Sequence, residues 1–203
     1  MVVMPDAQLH SPDTGGQRSP DGDEVLVERF RANQDGAFSA IVERYRVPVA
    51  TLAHRLLGYS SSDVEDICQD VFVSAYRGLG RFRGQCGLKT WLFKITINKC
   101  RTYRYRRLLR LRLARDESQR SYVSAAAGAA DGPLMDVETA QRVRQAVQTL
   151  PRRYREPVVL RYLGEMSADE AAAVLGITTN ALSVRLSRAR QMLKDRLTEV
   201  IRE

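Results

Sequence analysis

The chain has 203 residues, 44% of them hydrophobic, with a formal net charge of +8. That is enough apolar material for one large or two small cores, and it excludes a globally disordered chain. The basic balance favours a polyanionic partner, either nucleic acid or an acidic membrane surface. No run approaches the roughly 20 apolar residues that span a bilayer, so no membrane insertion is expected.

Residues 1–23 are rich in Pro, Asp, Ser and Gly and lack the apolar stretch of a secretory signal. They read as a disordered tail. Cys68, Cys86 and Cys100 are odd in number and have neither metal-ligand nor redox spacing, which suits free thiols in a reducing cytoplasm. With His10 and His54 as the only histidines, a histidine-based catalytic or metal site has little to draw on. No catalytic residue, metal or cofactor is assigned.

Helical patterning begins near Glu24 and runs to about Leu113, and a second patterned block runs from Asp136 to the end. The segment between them includes SAAAGAADGP, whose small residues have little to bury, and reads as a flexible connection. The fold class expected is all-α, two helical domains joined by a linker, with divisions at 1–23, 24–113, 114–135 and 136–203. The segment Lys94 to Ile97 passes locally for a strand, but its neighbours keep helical spacing.

Ser62-Asp63-Val64-Glu65 fits a capping box, and Val64, Ile67, Cys68, Val71, Phe72, Ala75 and Leu79 fall on one face of the helix that follows. Asp66, Gln69, Asp70 and Arg77 fall on the other, with Val73 among them. Spacing leaves open whether this is a solvated face or an acidic docking surface for a basic partner helix.

The glycine-punctuated segment Phe82 to Gly87 leads to a basic, aromatic helix expected from Trp91 to Arg112, with Thr90 able to cap it. At 100° per residue, Trp91, Ile95 and Thr102 point one way, and Phe93, Ile97 and Cys100 roughly the other, as in a helix packed on two sides. Lys94, Asn98, Arg101 and Tyr105 line a narrower stripe suited to gripping phosphates and stacking or hydrogen-bonding an exposed base. Arg101 to Arg115 holds seven arginines and no acidic residue, a run that repels itself unless a polyanion is present. The arginines are spread around the helix rather than confined to one face, which favours nucleic acid over a membrane surface.

In the second block, Val137, Ala140, Val143, Val147 and Leu150 form an apolar stripe that ends at Pro151. A helix from about Tyr154 to Leu163 is expected to bury Val158, Val159 and Tyr162, with Pro157 in its first turn. Ser167 and Glu170 match a second capping box, Leu175-Gly176-Ile177 makes a turn, and Thr178 can cap a long last helix. This is helix-turn-helix spacing. In the last helix Leu182, Leu186, Ala189 and Leu193 form the inner stripe, while Asn180, Ser183, Val184, Ser187, Arg188 and Gln191 point outward. Arg188 can pair with a guanine edge and Val184 can touch a thymine methyl. Arg185, Arg190, Lys194 and Arg196 suit phosphates.

Taken together in this order, the two blocks resemble the extracytoplasmic-function (ECF) sigma factors of the sigma-70 family, from about Glu24 to Leu197. Asp63 to Phe72 resembles region 2.2, which docks on the β′ clamp helices of core RNA polymerase. Phe82-Arg83-Gly84 with Thr90-Trp91-Leu92 and Ile97-Asn98 resembles regions 2.3 and 2.4, which open and read the −10 element. Leu150-Pro151 through Arg188-Ala189-Arg190 resembles region 4, which reads the −35 element.

The resemblance implies core-polymerase contacts by Asp66, Gln69, Asp70 and Val73. It implies −10 contacts by Arg83, Gln85, Cys86, Gly87, Leu88, Lys94, Asn98, Arg101 and Tyr105, with the loop Gln85 to Leu88 holding a base flipped from the non-template strand. It also implies −35 contacts by Thr179, Asn180, Ser183, Val184, Arg185, Ser187 and Arg188. The partners implied are core RNA polymerase through its β′ clamp helices and β flap, promoter DNA that is duplex at −35 and single-stranded at −10, and an anti-sigma factor.

The chain departs from the family pattern at Ala181 and Ser183, where many members carry Thr and a basic residue. It departs again at Cys86-Gly87, where relatives often have Ser or Asp with a small residue. Neither promoter preference is therefore borrowed from relatives. No counterpart of a region 3 domain and no domain after region 4 are expected. Two rivals remain. A stand-alone helix-turn-helix regulator has no need of the Arg-rich first block, and a Mg²⁺ nuclease built on Asp66 and Asp70 lacks a catalytic base.

Overall fold

The computed structural model describes residues 22–58, 61–117 and 134–201, and every regular element in them is helical. The tail expected over residues 1–23 lies almost wholly outside these residues, as does most of the connection between the two blocks. Eight helices carry the architecture: α1 (Asp23–Arg31), α2 (Ala37–Leu57), α3 (Ser61–Leu79), α4 (Leu88–Glu117), α5 (Leu134–Thr149), α6 (Arg152–Val158), α7 (Ala168–Leu175) and α8 (Thr179–Ile201). A wider π-turn, Val159–Leu163, continues α6. None is long and apolar enough to cross a membrane.

In the N-terminal block, α2, α3 and α4 pack pairwise and α1 covers α2. Buried residues at helical spacing explain the packing: Ile41, Tyr45, Val49, Leu52 and Leu56 on α2, and Val64, Ile67, Val71, Ala75 and Leu79 on α3. Asp23 and Glu24 begin α1 while Arg29 and Arg31 end it, matching the helix dipole. Asp23 also fixes α1 to α2, accepting from Arg44 at 2.7 Å and from the Tyr45 hydroxyl at 2.5 Å. Burial and this carboxylate neighbour both hold the Tyr45 phenol in its protonated form. The side chain of Ser62, the expected cap of α3, lies outside the described residues.

The helix expected from Trp91 starts earlier, at Leu88, with the Trp91 N–H donating to the Gly87 carbonyl at 3.1 Å. Thr90 is therefore a buried residue inside the first turn and not its cap. Leu92, Phe93, Thr96, Ile97 and Cys100 are buried while Trp91 and Ile95 pack at the margin, so α4 does lie between two layers. One of those layers is the N-terminal bundle, and α7 lies against α4 from the C-terminal block.

In the C-terminal block the helix before the helix-turn-helix begins at Arg152, two residues before the expected start at Tyr154. Pro157 consequently lies beyond the first turn. The backbone then widens, with the Gly164 N–H bonding back to the Val159 carbonyl at 2.7 Å. That widening turns Leu160 inward to full burial and leaves Tyr162 50% exposed, so Tyr162 is not the core residue expected. Val143 is likewise exposed, whereas Val147 and Leu150 of the same stripe are buried.

Candidate polymerase and promoter interface

The acidic face of α3 is open. Asp66, Gln69, Asp70 and Val73 are all exposed, Val73 at 47%, on the side opposite the buried stripe. Asp66, Gln69 and Asp70 line a groove of about 580 Å³ between α3 and α4, and Asn98, Lys99 and Arg106 form its other wall. Lys99 sits 3.8 Å from the Asp70 carboxylate. Val73 extends the acidic surface toward Tyr76, whose ring packs edge-on against Phe30 and Phe38. The spacing argument did not single out Tyr76, although it continues the i, i+3, i+7 series on the same helix.

The loop between α3 and α4 is pinned from below. Phe82 packs on Trp91 with ring centroids 5.2 Å apart, and the Arg31 guanidinium donates to the Phe82 carbonyl. Arg83, Gln85 and Gly87 remain exposed and Cys86 is half-buried. Arg83, Cys86 and Gly87 border an open cavity of about 600 Å³ whose far wall is α1, including Glu24, Glu28 and Arg31. Leu88 also reaches this cavity, but at 2% exposure it is the apolar anchor of α4. Its expected place among the exposed loop residues is corrected to the core, because the helix begins one turn sooner than the glycines suggest.

Lys94, Asn98 and Tyr105 stand exposed along α4, Tyr105 at 68%, as the stripe requires. Arg101 belongs to the same stripe and leans toward Asn98, Nη1 to Oδ1 3.4 Å. Its other nitrogens are engaged elsewhere: Nε and Nη2 donate to the two carboxylate oxygens of Glu156 at 2.9 and 2.7 Å. This fork holds the guanidinium proton above its ordinary strength, despite partial burial acting the other way. Glu156 was not among the residues singled out from sequence.

The helix-turn-helix forms from local signals. The Ser167 hydroxyl accepts from the Glu170 N–H at 3.1 Å, and the Glu170 carboxylate accepts from the Ser167 N–H at 2.8 Å. That reciprocal bond, aided by the Ser167 side chain and Lys89, holds the Glu170 carboxyl below the usual range against partial desolvation. α7 ends at Gly176 with φ +68°, a left-handed residue that glycine adopts without a Cβ clash. The Thr178 hydroxyl then accepts from the Ala181 N–H at 3.2 Å and opens α8.

Leu182, Leu186 and Ala189 of α8 are buried and Leu193 is partly so. Thr179, Asn180, Ser183, Val184, Ser187 and Arg188 face outward, Val184 at 52%, and Arg185 is half-buried beside them. The outer face is thus mostly polar and free of the core, a surface of the kind that can enter a major groove.

Two family models match these blocks in this order. Sigma-70 region 2 matches residues 41–110, and sigma-70 region 4 matches residues 140–193. The ECF RNA polymerase sigma-E factor of Escherichia coli K12 is 31% identical, over 89% of this chain and 96% of that protein. The RNA polymerase sigma factor CnrH of Cupriavidus metallidurans is 33% identical, over 85% and 93%.

The chain is an ECF sigma factor of the sigma-70 family.

Solved structures carry the same arrangement of helices. CnrH in complex with the cytosolic domain of CnrY superposes at a TM-score of 0.64 with 33% identity, covering 88% of this sigma factor and 99% of that chain. The sigma factor RpoE in complex with the anti-sigma factor NepR from Bartonella quintana superposes at 0.64 with 25% identity, covering 80% and 98%. As an ECF sigma factor, the protein directs promoter-specific transcription initiation and is not itself an enzyme. The region 2 match runs from within α2 through α3 into α4, and the region 4 match from within α5 through α6 and α7 into α8.

Proposed function

We propose that three exposed surfaces divide the work of promoter recognition. Asp66, Gln69, Asp70 and Val73 on α3 dock on the β′ clamp helices of core RNA polymerase. Region 4 meets the β flap and lays the outer face of α8, from Thr179 to Arg188, into the −35 major groove. Lys94, Asn98, Arg101 and Tyr105 of α4, with Arg83, Gln85, Cys86 and Gly87 of the loop, receive melted −10 DNA. Leu88 supports that loop from the core.

The observation that carries this reading is the coexistence, in one chain, of an open acidic helix and a helix-turn-helix whose outer face is clear of the core. A stand-alone regulator has use for the second and none for the first. Exposed aromatic and amide groups on α4 suit unstacked bases, and its cations suit phosphates. The protein would act in the cytoplasm, where the polymerase is. In the solved structures CnrH is in complex with the cytosolic domain of CnrY and RpoE with the anti-sigma factor NepR, and the latter supports an anti-sigma partner here as well.

The test is association of the purified protein with bacterial core polymerase, followed by transcription from a promoter library. Core-dependent transcription from promoters sharing two motifs is the expected result. Failure to bind core, alongside tight binding of the free protein to a palindrome, would transfer the case to a stand-alone regulator.

A further inference from the structure

Resting on the reading of the loop from Arg83 to Gly87 as the holder of a melted −10 base, we propose that Glu24 and Glu28 of α1 read that base, selecting one with an exocyclic amino group against thymine. The loop and α1 face each other across an open cavity of about 600 Å³, an ordinary size for a small-ligand site and ample for one nucleoside. The loop side carries the Arg83 cation, and the α1 side carries both carboxylates. Glu24 and Glu28 are four residues apart in one helix, so they stand one turn apart on the same face.

The other charged groups of the α1 wall are already engaged. Asp23 accepts from Arg44 and Tyr45, and the Arg31 guanidinium donates to the Phe82 carbonyl. The exposed side chains of Glu24 and Glu28 have no hydrogen-bond or ion-pair partner among the described residues. Each can therefore accept from a ligand without breaking a bond inside the protein.

Charge decides which part of a nucleotide faces α1. A phosphate is repelled by the two carboxylates and drawn to Arg83, so the DNA backbone stays on the loop side. The base then points across the cavity. A carboxylate only accepts hydrogen bonds, and a flipped base is read along its Watson–Crick edge. Cytosine and adenine present an amino donor there, and guanine an amino donor beside its ring N–H. Thymine presents a single ring N–H between two carbonyls, which a carboxylate repels. A matched pair of this kind discriminates by about tenfold or more.

The test uses holoenzyme assembled from the full chain and core polymerase, on a promoter library randomised across the −10 element. Wild type, Glu24→Gln, Glu28→Gln and Glu43→Gln are compared. Glu43 is an exposed site on α2 outside the cavity, so its substitution makes the same charge change without touching the wall. The expected result is one −10 position at which wild type and Glu43→Gln both deplete thymine about tenfold. Glu24→Gln or Glu28→Gln should restore thymine at that position, because the amide can donate to its O4. There, an analogue of the preferred base lacking the amino group (2-pyrimidinone, purine or hypoxanthine) should cost wild type about tenfold and the restoring variant much less.

An unchanged ranking of bases in both variants, even with stronger transcription from every sequence, overturns the assignment, since the carboxylates then act through net charge alone. A wild type with no thymine-depleted −10 position overturns it as well. If Glu28→Gln loses its helical circular dichroism, Glu24→Gln decides by the same readings. These outcomes, with core engaged normally, sink the role of α1 alone, whereas a wild type that never engages core sinks the promoter reading on which it rests.

Discussion

The Tyr103 hydroxyl donates to the Asp63 carboxylate at 2.7 Å, tying α4 to the first turn of α3. Partial burial and this carboxylate both keep the phenol protonated above its ordinary range. The consequence is mechanical. The two helices, proposed above to meet different macromolecules, are held as one body by their core stripes and by polar ties across their rims, Asp63 to Tyr103 at one end and Asp70 to Lys99 further along.

Tyr103→Phe removes the hydroxyl and keeps the ring. A hydrogen bond to a charged group at a half-exposed site contributes about 1 kcal/mol, so the melting temperature should fall by a few degrees. Thermal unfolding followed by circular dichroism checks this, and core association should stay within twofold of wild type. A loss of core binding at unchanged stability would mean that the α3–α4 tie positions the docking face.

Asp66→Arg with Asp70→Arg should abolish association with core polymerase. Both side chains are exposed, so the helix should survive, and the reversed charges repel a basic partner surface. Asp70→Arg also places a cation beside Lys99, which lowers stability slightly. The readout is co-elution with core at fixed ionic strength, with helicity checked on the same sample. Normal co-elution of a folded double variant would show that the docking face is elsewhere.

These local surfaces were legible because helical periodicity assigns faces without knowledge of the fold. The stripes on α3 and α8, the capping box at Ser167 and the turn at Gly176 all follow from residues within one or two turns of each other. Boundaries were less legible. Gly84 and Gly87 suggest a long loop, yet Leu88 is drawn into the core and the helix begins there. Tyr162 has the spacing of a core residue, but the π-turn after Pro157 rotates it outward. Least legible was Glu156. It reads as an ordinary helix carboxylate, and its partner Arg101 is 55 residues away, so no periodic pattern connects them.

Arg188→Ala should relax base discrimination in the −35 element. The side chain is exposed on the outer face of α8, and a paired contact to guanine is worth about 1–3 kcal/mol of discrimination. Competition between a selected −35 duplex and single-base variants measures this directly for holoenzyme. Arg190→Ala, exposed on the flank of the same helix, should instead weaken binding to all of these duplexes alike and reduce the salt dependence. Equal losses of discrimination in both variants would remove Arg188 from its base-reading role.

Cys100 gives a prediction in pH. Its thiol is buried between α4 and its neighbours, and desolvation, with smaller contributions from Cys68 and Glu156, pushes its pKa from 9.0 up to about 12. A raised folded-state value means that the folded chain keeps the proton where the unfolded chain releases it. The stability linked to Cys100 is therefore fully present below pH 9 and is lost progressively as the pH rises through about 12. Denaturant unfolding at pH 7 and pH 10.5 should show a larger loss for wild type than for Cys100→Ala. The variant itself costs about 1 kcal/mol at pH 7 through lost packing. The same burial should leave Cys100 unlabelled by a thiol reagent at pH 8 while the half-buried Cys86, on the loop, reacts. Rapid labelling of Cys100 in the folded chain would mean that α4 separates from its neighbours.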